Sequence, residues 1–198
     1  MKSLNQFIIE SITKNKSPKN KKELISNIKE LIGKGVTDLN CIDTSKITDM
    51  SYLFDRELSK IKNINISKWD VSNVENMHSM FIYCENFEGK GLENWDVSNV
   101  KDMGHMFDGC KKFDCDLSGW NVSNVKNMGD MFANCESFKG KGLENWDVSN
   151  VTDMYRMFFN CKNFNCNLSK WNVSNVENML YLFDNCISLK NTPRWYKE

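Results

Sequence analysis

Proline occurs only twice in 198 residues, histidine only twice, and net charge is absent, because 26 Lys and Arg balance 26 Asp and Glu. No apolar run approaches the roughly 18 residues of a membrane-spanning helix, so no integral membrane span is expected. The missing basic excess argues against a polyanion binder, and no nucleic-acid partner is expected. The first residues, MKSLNQFIIESITK, lack the apolar stretch and small-residue cleavage site of a secretory signal. The default location is therefore cytoplasmic, and the eight Cys are expected as reduced thiols. A Gly-rich phosphate loop is missing as well: Gly89-Lys90-Gly91 and its copy Gly140-Lys141-Gly142 read as turns.

What is present is periodic. Tryptophan stands at 69, 95, 120, 146, 171 and 195, with gaps of 26, 25, 26, 25 and 24 residues. Each Trp opens the same pattern, W-[DN]-V-S-N-V-x-[DN]-M-x-x-[ML]-F-x-x-C-x-x-[FL], which places Cys84, Cys110, Cys135, Cys161 and Cys186 in one register. Longer units with GKGLENW alternate with shorter ones, and a degenerate unit starts at Ile42, with Met50, Leu53 and Phe54 in the template slots. Every Met except Met1 falls in a slot, and Pro18 and Pro193 both lie outside the array, as expected if stacked units need their backbone donors. Self-similarity at this period signals a repeat architecture, in which a unit is stabilised by its neighbours.

Within a unit, Met103, Met106, Phe107 and Cys110 stand at i, i+3, i+4 and i+7, which predicts a short helix. Asp102, and its counterparts Asn76, Asn127, Asp153 and Asn178, are placed to cap it. The segments around Trp-[DN]-Val and Val-x-[DN]-Met suit short extended strands. The expected fold class is an α/β repeat solenoid, leucine-rich-repeat-like, each rung a short parallel strand plus a short helical turn, with an N-terminal helical cap. Ser and Asn recurring after each Trp, as in Ser98 and Asn99, are expected to bond the backbone at a turn in every rung.

The cap is read at 19–41. Asn20 with Glu23 resembles a capping box, Leu24, Ile25, Ile28, Leu31 and Ile32 form one apolar face, and Gly33 is the expected stop. Residues 1–18 form an amphipathic segment (Leu4, Phe7, Ile8, Ile12) and a polar linker. The repeats occupy 42–190, and 191–198 form a C-terminal tail. Residues 1–35 hold eight Lys against three Glu, so a basic end precedes an acidic array.

The repeat WDVSNVxxMxxMFxxCxxF, with its opening stretch LNCIDTSKITDMSYLF at 39–54, resembles the BspA-type repeat proteins. These are leucine-rich-repeat-like surface proteins and mycoplasma lipoproteins of bacteria with AT-rich genomes. The resemblance covers about 19–190. It implies a right-handed solenoid adding one strand per rung, and an adhesive surface role through host or neighbouring-cell proteins. That family's signal peptide and lipobox cysteine have no counterpart near Met1, so location reads as cytoplasmic by default and surface by resemblance.

Signals of chemistry are thin. His78 and His105 read as solvent-facing residues on adjacent rungs. Cys110 with Cys115, and Cys161 with Cys166, form C-x4-C pairs two rungs apart, too far for one zinc. The Cys ladder reads as small apolar core, with metal or redox use as the alternative. No catalytic residue, cofactor or metal ligand is expected, and the protein is expected to be non-enzymatic. The positions that the repeat leaves free are rich in Tyr, His, Phe and Arg, residue types that anchor interfaces. Tyr83, His105, Tyr155, Arg156, Phe159 and Tyr181 are the expected partner-binding residues, with neutral drift on an exposed edge as the competing reading. The expected function is a scaffold binding a protein partner. The alternative is a structural or assembly component attached through its N-terminal segment; the oligomeric state is open, and a monomer fits.

Overall fold

The computed structural model describes Ser11, residues 16–54 and residues 64–197. The amphipathic stretch around Leu4, Phe7, Ile8 and Ile12, and the free positions Asp55 and Arg56, lie outside the described residues. One α-helix, α1 (Lys21–Gly33), forms where the sequence placed the cap. Asn20 accepts from the Glu23 amide at 3.0 Å, while the Glu23 carboxylate accepts from the Lys19 amide at 2.8 Å. Leu24, Ile28 and Leu31 are fully buried on the face that meets the repeats. The helix ends at Gly33, as expected, and the left-handed residue that closes it is Gly35, at φ 78°. Its amide bonds Ile32 O at 2.8 Å and that of Val36 bonds Leu31 O at 3.0 Å, the paired bonds of a Schellman cap.

The repeats correct the expected α/β, leucine-rich-repeat-like solenoid. Among the described residues of the repeats there is no α-helix and no sheet; they hold two three-residue 3-10 helices (Leu92–Asn94 and Leu143–Asn145), turns and isolated parallel bridges. The physical reason lies in the backbone. The second residue after each repeat's first Met has positive φ in every unit: Tyr52, Ser79, His105, Asp130, Arg156 and Tyr181 lie between 50° and 58°. Four residues on, Tyr83, Gly109, Asn134, Asn160 and Asn185 are left-handed again, at 58° to 76°. A left-handed residue at every fourth position bars a continuous helix and a continuous strand alike.

Tight turns result. In one unit Met106 N bonds Met103 O at 3.1 Å, Asp108 N bonds His105 O at 3.1 Å and Cys110 N bonds Phe107 O at 2.9 Å. The first and third carry the positive φ at the third turn residue, as in a type II turn. The intervening amides point along the stack: Met103, His105, Phe107 and Gly109 donate to Asn127 O, Gly129 O, Met131 O and Ala133 O at 2.8–3.0 Å. Asp102 therefore caps no helix. Its Oδ1 accepts from Gly104 N at 2.8 Å, a side-chain turn that Asn76, Asn127 and Asp153 repeat. These residues also carry the single bridge between neighbours, from Asp49↔Asn76 through to Asp153↔Asn178.

Every template side chain builds a column. Phe54, Phe81, Phe107, Phe132, Phe158 and Phe183 stack with centroids 5.2–5.9 Å apart and planes within 13°. Each Trp donates Nε1 to the preceding unit's Leu or Ile carbonyl, for example Trp120 to Leu92 O at 2.8 Å. Trp195, in the tail, does the same to Leu168 O at 2.9 Å and stacks on Trp171. Asn73, Asn99, Asn124, Asn150 and Asn175 each donate Nδ2 to the carbonyl of the preceding unit's Ser at 2.6–2.9 Å, as expected of that ladder. No helix among the described residues is long and apolar enough to cross a membrane.

Candidate functional site

The left-handed slot does more than break secondary structure. It leaves Tyr52, His105, Arg156 and Tyr181 partly or fully exposed, while Ser79 and Asp130 in the same slot are buried, and the residues just before the slot, His78 and Tyr155, lie beside them. Side chains from neighbouring units therefore meet in a chain of contacts. Tyr52 Oη lies 3.1 Å from His78 Nε2. The His78 and His105 rings are edge to face at 5.5 Å. His105 Nδ1 stands 3.4 Å from Asp108 Oδ2, and its Nε2 stands 3.8 Å from Asp130 Oδ2. Arg156 Nη1 stands 3.4 Å from Asp130 Oδ1. Its guanidinium carbon lies 4.1 Å from the Phe159 centroid and 5.9 Å from that of Tyr155. Tyr155 meets Tyr181 edge to face at 6.0 Å.

Five of the six expected residues, His105, Tyr155, Arg156, Phe159 and Tyr181, are thus brought into one strip. Tyr83 is set apart from it. Its exposed ring lies over Gly109, where an added Cβ would stand 2.5 Å from Cδ1, and its amide bonds Asp108 O at 2.7 Å. Beyond Tyr181 a hollow of about 610 Å³ is lined by Glu177, Met179, Leu180, Asp184 and Tyr196. Leu180 and Tyr181 are exposed beside it.

Sequence reasoning, which read the histidines as solvent-facing, did not name the carboxylates beside them. Asp108 and Asp130 are buried polar residues and Asp102 Oδ1 lies 3.5 Å from His78 Nδ1. The signal was the slot register: 105, 130 and 156 are equivalent positions, so residues 25 or 26 apart had to be read as neighbours. Burial pushes the Asp130 carboxyl above its ordinary range, against the pull of His105 and Arg156. His105 is raised, chiefly by its contact with Asp108 and against its own desolvation. His78 Nδ1 is buried without a hydrogen-bond partner. Among the described residues, His105, Asp108 and Asp130 are the group of metal-ligating side chains whose donor atoms all lie within 4.8 Å of one another.

The cysteines form a different structure. All eight are free. Cys110, Cys135, Cys161 and Cys186 each donate Sγ to the carbonyl of a Phe in the preceding unit at 2.9–3.0 Å. Burial pushes their thiols up, that of Cys186 to about 12. Cys115 and Cys166, each beside a Glu carboxylate, are also pushed to about 12, chiefly by burial. Such thiols are poor nucleophiles, because the thiolate is the reactive form.

A family model described as "Mycoplasma protein of unknown function, DUF285" matches residues 20–142 and 119–197. No curated protein and no solved structure matches the chain.

Proposed function

We propose, from the premise that the chain belongs to the DUF285 family of mycoplasma-type repeat proteins, that it is a non-enzymatic scaffold which binds a protein partner along the strip from His105 to Tyr181. The observation that carries this reading is the continuity of the strip. Tyr155, Arg156 and Phe159 lie half-buried in mutual contact, and exposed Tyr181 extends them along the stack. Aromatic and Arg side chains held in place by packing lose little entropy on binding and are the types that dominate interface energetics. Buried columns on the other side fix the spacing of these residues. The likeness of the repeat to BspA-type proteins supports an adhesin-like version of this scaffold, with a partner on a host or neighbouring cell.

The test is a comparison of captured partners. A photo-crosslinking residue at Tyr181 should trap a foreign protein, and the double substitution Tyr155→Ser, Phe159→Ser should abolish the capture while the chain stays folded. Capture unaffected by the double substitution refutes the strip. Trapping only of further copies of the chain makes it an assembly surface instead.

A further inference from the structure

We propose that His105, Asp108 and Asp130 form a binding site for a first-row divalent cation of the zinc class. This inference goes beyond the protein-binding reading and does not rest on it. The donor set is one imidazole and two carboxylates, the nitrogen and oxygen ligands that such ions accept, and three protein ligands leave a fourth position open. The three donor atoms lie within 4.8 Å of one another. The 3.4 Å between His105 Nδ1 and Asp108 Oδ2 equals the separation, about 3.4 Å, of two ligands each about 2.0–2.2 Å from a tetrahedral ion. Asp130 Oδ2 lies 3.8 Å from the other ring nitrogen, Nε2, so it joins an ion at Nδ1 by a shift of its side chain or of the ring.

A second observation is how loosely the Asp130 carboxylate is held. Its side chain is only 6% exposed, and its two counter-charges, Arg156 Nη1 and His105 Nε2, stand at 3.4 Å and 3.8 Å, longer than the roughly 2.7–2.9 Å of charge-assisted bonds. Neither contact therefore occupies Asp130 Oδ2 as closely as a metal ligand bond would. By contrast, Asp108 is already oriented as a ligand. Asn134 Nδ2 donates to its Oδ1 at 3.0 Å, leaving Oδ2 toward the imidazole, and Asn160 Nδ2 fixes the Asn134 amide at 3.0 Å. That relay is the outer-shell support that metal ligands commonly have. Access comes from the His105 side, where the side chain is 39% exposed. Arg156 opposes the ion, since it stands beside Asp130 Oδ1, and it sets the affinity low rather than closing the site.

The experiment is calorimetric titration of the whole chain with Zn²⁺ alone, paired with the absorption spectrum of the Co²⁺ form. One ion per chain is expected, with a Co²⁺ spectrum that lacks a sulfur-to-metal charge-transfer band. His105→Asn and Asp130→Asn, which keep residue types tolerant of the left-handed backbone, should each weaken binding by at least about tenfold. Asn134→Gly should weaken it by about 10–100-fold through the outer shell. Arg156→Gln should tighten it. Thermal unfolding without metal establishes that each variant is folded; should a ligand variant not fold, Asn134→Gly and Arg156→Gln carry the decision through their opposite signs. Absence of saturable binding, a sulfur band that assigns the ion to the cysteines, or binding undiminished in His105→Asn each overturns the proposal.

Discussion

Asn185 offers a direct measurement of whether the Met-x-x-Met-Phe-x-x-Cys segment is a chain of turns or a helix. It sits at φ 60°, it is exposed, and its side chain has no partner among the described residues. Asn185→Gly and Asn185→Ala therefore remove the same unpaired amide and differ only in backbone preference. In the left-handed region an L-residue costs roughly 1–2 kcal/mol that glycine does not. Glycine gives back about 0.5–1 kcal/mol through the greater freedom of its unfolded chain. The glycine variant should thus be the more stable of the two by about 0.5–1 kcal/mol. A helix reverses the sign, because glycine there is about 1 kcal/mol worse than alanine. For a chain of this size 1 kcal/mol corresponds to about 2–4 °C in Tm, so urea midpoints and thermal scans both resolve the two outcomes. If the alanine variant proves equal or better, the turn architecture of the repeat is wrong, and with it the projection of the strip.

The double substitution Tyr155→Ser, Phe159→Ser should lower stability by no more than about 1 kcal/mol, the scale of a surface cation–π contact, since neither ring belongs to the buried columns; urea denaturation checks this. Asn124→Ala removes the bond from Nδ2 to Ser98 O and should destabilise by about 0.5–1.5 kcal/mol, while the same change at the unpaired, exposed Asn94 should be nearly silent in the same assay. Native-state alkylation should leave Cys115, Cys166 and Cys186 unmodified near neutral pH, because thiols pushed to about 12 stay protonated, whereas all eight should react once the chain is unfolded. The same thiols predict the sign of an alkaline effect: unfolded Cys ionises near about 8.5, so stability is fully present below that value and is lost as pH rises from there toward 12. At the acid end, the Glu30 carboxyl is held down to about 2, first by its hydrogen bond with Lys16 and then by Lys34, so NMR titration should find it ionised after ordinary carboxylates have protonated, and Lys16→Ala should shift it upward.

Much of the packing was legible before any coordinates, because periodicity reports which side chains go inward. The Phe, Trp, Met and Cys slots form buried columns, only partly buried at Met179, Phe183 and Trp195 toward the C-terminal end, and the Asn ladder makes the backbone bonds that a repeated short polar residue suggests. Secondary structure was not legible from the same pattern. Apolar residues at i, i+3, i+4 and i+7 line one side of a helix, but consecutive type II turns carry the same residues to the same side. The discriminating signal was present in the residue directly before the Cys slot: Gly109, Asn134, Asn160 and Asn185 are the residue types that favour positive φ. At the other left-handed slot only His105 and Asp130 are of tolerant types and no Gly or Asn occurs, so the spacing rule prevailed. The strip residues were found by their chemistry, but Asp108 and Asp130 were not: Asp130 lies one repeat from His105 in sequence, and Asp108, three residues on, meets His105 only because the segment is a chain of turns.

That difference between the two left-handed slots bears on function. The later slot holds Gly or Asn in four of its five described copies, with Tyr83 as the exception. This is what stability alone selects. The earlier slot holds Tyr52, Ser79, His105, Asp130, Arg156 and Tyr181, with neither Gly nor Asn in any copy, at essentially the same φ. His and Asp tolerate this region better than most, but Tyr and Arg gain nothing from it locally. Each such residue forgoes on the order of 1 kcal/mol that a glycine would recover. Strain retained at equivalent positions with chemically capable side chains marks sites where another requirement outweighs stability. The prediction is directional: Tyr181→Gly should raise or preserve the urea midpoint while weakening partner capture, whereas Arg156→Gly also removes a counter-charge of the buried Asp130 carboxylate and should lower it. A fall in stability for Tyr181→Gly would show instead that its side chain holds the stack together, and would remove the main physical reason for reading the strip as a binding surface.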